Sequence, residues 1–387
     1  MSNIVSSLSK MWHKVLNLEN TLFPALKEEL RLNALSTKEQ KLINILDFAE
    51  IEKNITVVSI TNTPKDREEL ARAFIAKSVY NIQTTRDLID RLHCDRVLRI
   101  LCGWRYAKDI PSESKFSRVF KELSDLKIAQ KTHEKFIDTY LPDTLFMYNA
   151  TDATKIPLRQ KPSKVEKEKP KPKKRGRPKK GETREPIKPS ILKQQKEMKT
   201  VKEMLECVST KCGVGVKQNS KGNREVWIGG KLHISAVDGD IPIAAFYSGA
   251  NVHDSSVALP LMQESSKRVN YLYDLQDAGY DSDIIREFST RLGHRPLVDI
   301  NPKNSKVLKA KIELLKHERD SFKMINQHIN LDKEHYNQRS MVERVNKYLK
   351  DDFGCDKIYY QGATKVASVL AFGILSVCIH QSLKLVT

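Results

Sequence analysis

A change of hydrophobic period at Thr144 divides this chain and limits what it can fold into. Upstream, apolar residues recur at helical spacing. Leu42, Ile45, Leu46 and Ile51 follow Ser36-Thr-Lys-Glu39, whose S-x-x-E form predicts a capping box. Thr63-Pro64 opens a second helix that carries Leu70, Phe74, Ile75 and Val79. A third run goes from Thr85 through Leu88, Ile89, Leu92, Val97, Leu98 and Leu101 to Gly103-Trp104. A fourth, after Pro111-Ser112, turns Phe116, Val119, Phe120 and Leu123 inward and Lys115, Arg118 and Lys121 outward. Residues 1–143 therefore read as an all-α domain. Its basic outer face suits helix-turn-helix-like DNA binding and a plain helical bundle equally well.

Downstream the pattern is that of strands alternating with helices. Leu145 to Pro157 predicts a β-strand with Asp152 placed inside it. Lys231–Val237 and Ile241–Tyr247 flank Asp238-Gly239-Asp240 and predict a hairpin. A short helix through Leu261, a strand at Tyr271–Leu275, a helix at Ile284–Leu292 and a strand at Arg295–Ile300 follow. A basic stretch, an amphipathic helix through Lys350 and a mostly apolar helix, Ala363–Val386, complete the series. The order predicts an α/β fold, a mixed sheet flanked by helices, preceded by the all-α domain.

Composition breaks inside this second part. From Lys161 to Lys180 there are 11 Lys or Arg against 2 Glu, with four prolines and a single Val, so the segment has no apolar pattern to bury. Its core, Lys174-Arg-Gly-Arg-Pro-Lys179, resembles an AT-hook. Glycine lets the backbone reach the floor of a narrow A·T minor groove while Arg175 and Arg177 run along it. A basic linker that binds DNA without sequence preference has the same composition. We take 161–224 as a basic insert, including a helix over Ile191–Val208 and a Gly-rich loop to Gly222. It separates a first strand segment, 144–160, from the remainder of the α/β domain, 225–387.

The whole chain carries 67 Lys and Arg against 48 Asp and Glu, a formal net charge of +19, which points to nucleic acid as partner. The longest apolar run, Val366–Ile379, suits a buried helix better than a membrane span, so no membrane partner is expected. The N-terminus has no continuous apolar core of a signal peptide. Six scattered cysteines lack the spacing of a zinc site and read as reduced thiols of a cytoplasmic protein.

The stretch Tyr336–Lys350, YNQRSMVERVNKYLK, concentrates the chemistry. At about 100° per residue, with Tyr336 at zero, Arg339 falls near 300°, Glu343 near 340° and Lys350 near 320°, one narrow stripe. Val342, Val345, Leu349 and Phe353 fill the adjoining apolar stripe. A solvated face with an Arg–Glu pair at i, i+4 gives the same pattern. Asp152 on the first strand, Asp277 past the end of the Tyr271–Leu275 strand and Glu343 on this helix are three carboxylates that an open α/β sheet can gather at strand ends. Gathered, they would need a hard cation, Mg²⁺ or Mn²⁺. Two such ions about 4 Å apart suit in-line attack on phosphorus. Asp274 competes with Asp277 for the second position. Asp238, Asp240 and Asp254 fit turns and caps, His253 fits a structural hydrogen bond, and Tyr148 and Trp227 fit the core.

These residues resemble those of bacterial insertion-sequence transposases of the DDE type, in the group named for its Tyr-Arg-Glu-Lys signature. Tyr336, Arg339, Glu343 and Lys350 match that signature at every spacing. Asp152 in NATDATKIPLR, Asp277 in DAGYDS and Glu343 look like the family's three acidic residues, and Trp227–His233, Asn251–Ser255 and Cys102–Phe120 look like recurring family phrases. The resemblance implies a ribonuclease-H-like catalytic domain, cleavage at transposon ends with Mg²⁺ or Mn²⁺ held by Asp152, Asp277 and Glu343, and transfer of the freed 3′-hydroxyl to target DNA. It implies that Tyr336, Arg339 and Lys350 hold phosphates of the terminal inverted repeats, and that a homodimer pairs two ends. The chain departs from relatives that carry a long β-rich insertion before the third acidic residue: only 35 positions separate Asn301 from Tyr336. A DNA-binding regulator with the same fold but no catalysis, or a structure-specific nuclease, are the alternatives.

Overall fold

The structure, a computed structural model, describes residues 35–56, 66–142, 144–163, 189–218, 222–301, 305–307, 309–314, 317 and 331–386. The AT-hook-like arginines Arg175 and Arg177 and the helix-opening Pro64 lie outside the described residues.

The helical part contains α1 (Thr37–Ala49), α2 (Ile51–Thr56), α3 (Arg67–Val79), α4 (Thr85–Cys94), α5 (Arg96–Cys102), α6 (Glu113–Asp125) and α7 (Ile128–Tyr140). The predicted capping box is present: the Ser36 hydroxyl accepts from Glu39 N–H while the Glu39 carboxylate accepts from Ser36 N–H. The single run expected from Thr85 to Gly103 is two helices. Asp95 ends α4 and caps α5, its Oδ1 accepting from Leu98 N–H at 2.9 Å, and an aspartate there satisfies donors that a continuous helix would not leave open.

The sheet is built from β1 (Leu145–Pro157), β2 (Gly213–Gln218), β3 (Arg224–Val237), β4 (Ile241–Gly249), β5 (Asn270–Gln276) and β6 (Arg295–Val298). Central β1 runs antiparallel to β3 and parallel to β5, β6 lies parallel outside β5, and β4 pairs with β3 across the expected Asp238-Gly239-Asp240 turn. Short helices α8 (Ile191–Lys196) and α9 (Val201–Glu206), with α10 (Ala258–Arg268) and α11 (Asp283–Arg291), accompany the sheet. Two expectations change here. Ile191–Val208 is broken by a second capping box, Thr200 with Glu203, and the supposed Gly-rich loop contains β2, whose Gly215 exists to admit the Trp227 ring above it.

After β6 come α12 (Leu331–Asn337), α13 (Ser340–Asp351) and α14 (Ala363–Lys384). The one helix expected from Tyr336 to Lys350 is thus divided at 338–339. The i→i−3 bonds Arg339 N–H to Tyr336 O and Met341 N–H to Gln338 O carry the chain tightly across the break. By length and composition α14 could cross a membrane, but 83% of its most apolar window is buried in this fold. It packs on α1, α3, α6, α7, α13 and β4, so one hydrophobic core runs from the N-terminal helices into the sheet across residue 143. Gly373 of α14 allows the close approach of α13, because a Cβ there would strike the Cys355 thiol and Leu349.

Candidate active site

The register of β1 and β5 places the first two carboxylates. Thr151 pairs with Gln276 at the last position of this parallel pair, so Asp152, still within β1, and Asp277, just past the end of β5, follow side by side on one face. Asp277 caps the 3-10 turn Ala278–Tyr280, accepting from Gly279 N–H at 2.9 Å. Asp152 is half-buried, and its pKa is pushed up to about 6, first by burial and further by the neighbouring Asp277. The Ala153 N–H, Lys217 and Arg339 oppose that rise.

Asp274, the competitor for the second position, lies on the opposite face. It is buried, and burial raises its pKa. It accepts from Asn149 Nδ2 at 3.0 Å and from the Ser289 hydroxyl of α11. A further chain, Ser265 of α10 to Ser235 to Asn149, ties the same network to β3. This polar network fastens β1, β3 and β5 together beneath the site. Asp238 accepts from the Met147 and Tyr148 N–H groups, Asp240 grips Arg344 of α13 through a forked pair at 2.7–3.0 Å, and Asp254 pairs with Lys231 at 2.9 Å. Trp227 is buried as expected. Tyr148 is only half-buried, its hydroxyl meeting His335 Nδ1 of α12 at 2.5 Å.

Helix α13 lies against β1 and β3 with its polar stripe toward β1. Asn346 Nδ2 donates to Asp152 Oδ2 at 3.4 Å, and Lys350 Nζ donates to Thr154 Oγ1 at 2.5 Å. Glu343 lies on the same stripe one turn before Asn346. It is exposed and paired with Arg339 at 2.7 Å. Arg339 also stands 6.0 Å from the Tyr336 ring. Burial works against the Arg339 charge, but Glu343, Tyr336 and Asp152 outweigh it and hold its pKa above the usual guanidinium value. Tyr336 is pushed up to about 12, by burial first and then by Asp299, and so remains a hydrogen-bond donor. Burial lowers the Lys350 pKa, and Lys155 and Lys217 add to the effect.

The structure thus sets Asp152 beside Asp277, and Arg339, paired with Glu343, lies within electrostatic reach of Asp152. No group of three or more His, Cys, Asp or Glu side chains among the described residues is arranged to hold a metal ion. The donors are nonetheless of the right kind. Asp152 and Asp277 present carboxylate oxygens, the donors a hard dication takes, and such an ion would offset the burial and the Asp277 charge that raise the Asp152 pKa. Reasoning from sequence missed Asn346, although on the same wheel it falls near 280°, beside the stripe. It also missed Tyr280, whose buried phenol has no hydrogen-bond partner among the described residues and lies within electrostatic reach of Asp254, Asp152 and Asp277.

No curated protein and no solved structure matches the chain. Two family models do. A transposase domain, DUF772, matches residues 29–122, and a transposase DDE domain matches residues 149–379, more than half of the chain. The second covers most of β1, all of β5 and α13, and all three carboxylates, and the mixed sheet with flanking helices is consistent with the ribonuclease-H-like fold that such a domain implies. The chain belongs to the family of transposases with a DDE domain.

Proposed function

We propose that this transposase nicks DNA at the ends of its insertion sequence and transfers the freed 3′-hydroxyl into target DNA, with Asp152, Asp277 and Glu343 as its catalytic carboxylates. The observation that carries this reading is the juxtaposition of Asp152 and Asp277 where the parallel pairing of β1 with β5 ends, with Asn346 of the Glu343-bearing helix reaching Asp152. Bound Mg²⁺ or Mn²⁺ would supply activation of the attacking oxygen and neutralisation of the leaving one. Asp152, Asp277 and Glu343 would hold the cations. Arg339, paired with Glu343 at 2.7 Å, is the guanidinium placed to fork onto a phosphate. The protonated Tyr336 phenol and the Lys350 ammonium hold phosphates on either side. Arg175 and Arg177 contact an A·T-rich minor groove. The match to the Tyr-Arg-Glu-Lys spacing supports placement in that group. A homodimer pairs the two ends, and the protein works in the cytoplasm on the nucleoid.

The test is to incubate the purified protein and Mg²⁺ with a duplex carrying the element's terminal repeat. Cleavage and joining are expected from the native chain, and Glu343→Gln is expected to bind the duplex without cutting it. Cutting without joining would assign the chain to the nucleases. The Arg339–Glu343 ion pair favours a second reading, a regulator that binds DNA without catalysis; metal-independent binding with no cutting at all is its signature.

A further inference from the structure

At Gly229 strand β3 changes partner, from β2 to β1. Its φ is +153°, and Ile156 O stands where a Cβ would be, so the bend there requires glycine. Beyond it, β2 and residues 224–229 form a two-stranded arm. If the arm ran straight on, Glu225 would lie about 20 Å along β3 from Lys231, the residue opposite Lys155. Yet Glu225 pairs with Lys155, so the arm curls back toward β1. The face it presents carries two cross-strand pairs, Gly215 with Trp227 and Lys217 with Glu225. Trp227 is buried over Gly215 and donates from Nε1 to Gly230 O at 3.2 Å, which fixes this face in place.

The curl gathers ammonium groups. Lys350 Nζ of α13 donates to Thr154 Oγ1 at 2.5 Å, one residue before Lys155. Lys155 holds Glu225, and Glu225 stands across the arm from Lys217. Lys155 and Lys217 both act electrostatically on Lys350, and Lys217 acts on Asp152 as well. Lys217 is exposed and has no ion-pair partner among the described residues, since Lys155 has taken the carboxylate opposite it. Like charges drawn this close repel one another unless an anion lies among them. A second copy of a chain with net charge +19 would add to the repulsion, whereas the DNA a transposase acts on supplies a phosphate.

Resting on the transposase reading, we infer that Lys217 of the arm, with Lys155 and Lys350, forms a phosphate cradle on the DNA strand, next to the phosphodiester that reaches Asp152. The full-length protein is titrated, without metal, with a duplex bearing the terminal repeat and with a set of the same duplex, each carrying one neutral methylphosphonate near the end of the repeat. The native chain is expected to bind one of the set about tenfold more weakly than the unmodified duplex. Lys217→Ala should bind the unmodified duplex about tenfold more weakly, lose about one unit of salt slope and be indifferent to that methylphosphonate. Lys217→Arg should restore both affinity and sensitivity. Glu225→Gln, which frees Lys155, should bind the unmodified duplex more tightly than the native chain. Melting curves show that the variants fold. A Lys217→Ala protein that binds every duplex as the native chain does overturns the inference. So does a Glu225→Gln protein that melts earlier and binds more weakly, which would make the cluster a brace for the arm. A native chain that shows the Lys217-dependent methylphosphonate effect yet never cuts with Mg²⁺ sinks the transposase reading and leaves the cradle standing; one that cuts without the effect sinks the cradle alone.

Discussion

Asn346 Nδ2 reaches Asp152 Oδ2 at 3.4 Å, joining the helix of the third carboxylate to the strand of the first. Asn346 Oδ1 is buried with no hydrogen-bond partner among the described residues, so the amide is committed to this one contact. We expect Asn346→Ala to lower cleavage about 10- to 100-fold, the usual effect of losing a group that orients a ligand, with duplex affinity unchanged. Gel-shift and cleavage assays on the same protein preparation separate the two.

Asp152 carries its proton more tightly folded, at about 6, than the ordinary 3.8. The native state therefore binds more protons than the unfolded chain between these values, and stability falls as pH rises through that window. In metal-free buffer the loss from pH 4 to pH 6 should be on the order of 2–3 kcal/mol. Asp152→Asn should not show it. Urea titrations of both proteins across the range decide.

A dication that binds Asp152 and Asp277 relieves the same repulsion. Mg²⁺ or Ca²⁺ at neutral pH should raise the melting temperature of the native chain. Neither should do so for Asp152→Asn/Asp277→Asn. Scanning calorimetry with and without the ion reads this independently of DNA, and an equal shift in the double variant would place the ion elsewhere.

Asp274 is buried and accepts from Asn149 and Ser289, so Asp274→Ala leaves two buried donors unanswered. The expected destabilisation is about 2–4 kcal/mol. Because the network ties β1 to β5, cleavage should fall with stability. Denaturant midpoints and activity at low temperature test the pair of effects.

In an exposed helix, alanine for glycine stabilises by about 1 kcal/mol. At Gly373 the sign should reverse. A Cβ would stand 3.2 Å from Leu349 Cδ2 and closer still to the Cys355 sulfur, forcing α13 outward. Gly373→Ala is expected to destabilise by about 1–3 kcal/mol and to reduce cleavage, since α13 carries Glu343. A stabilised, fully active variant would contradict the close packing of α13 and α14.

What the sequence determined by itself was local. The Ser36–Glu39 capping box, the bounds of β1 and the hairpin at Asp238-Gly239-Asp240 follow from hydrogen bonds and side-chain alternation within a few residues. The Tyr336–Lys350 spacing, read with the acidic residues, pointed to the transposase family. Asp95 and Thr200 were equally local signals, overridden by an apolar period that runs straight through the break. Only tertiary structure decided the rest. β2 reads as a glycine loop until Trp227 fills the space above Gly215, and Asp274 and Asp277 differ in surroundings because strand alternation sends one toward Ser289 of α11 and the other to the face that carries Asp152. The pairing of β1 with β5, distant in the chain, sets Asp152 beside Asp277, and burial, with the Asp277 charge adding to it, raises the Asp152 pKa. Charge, burial and strand register act across space, and no spacing along a chain encodes them.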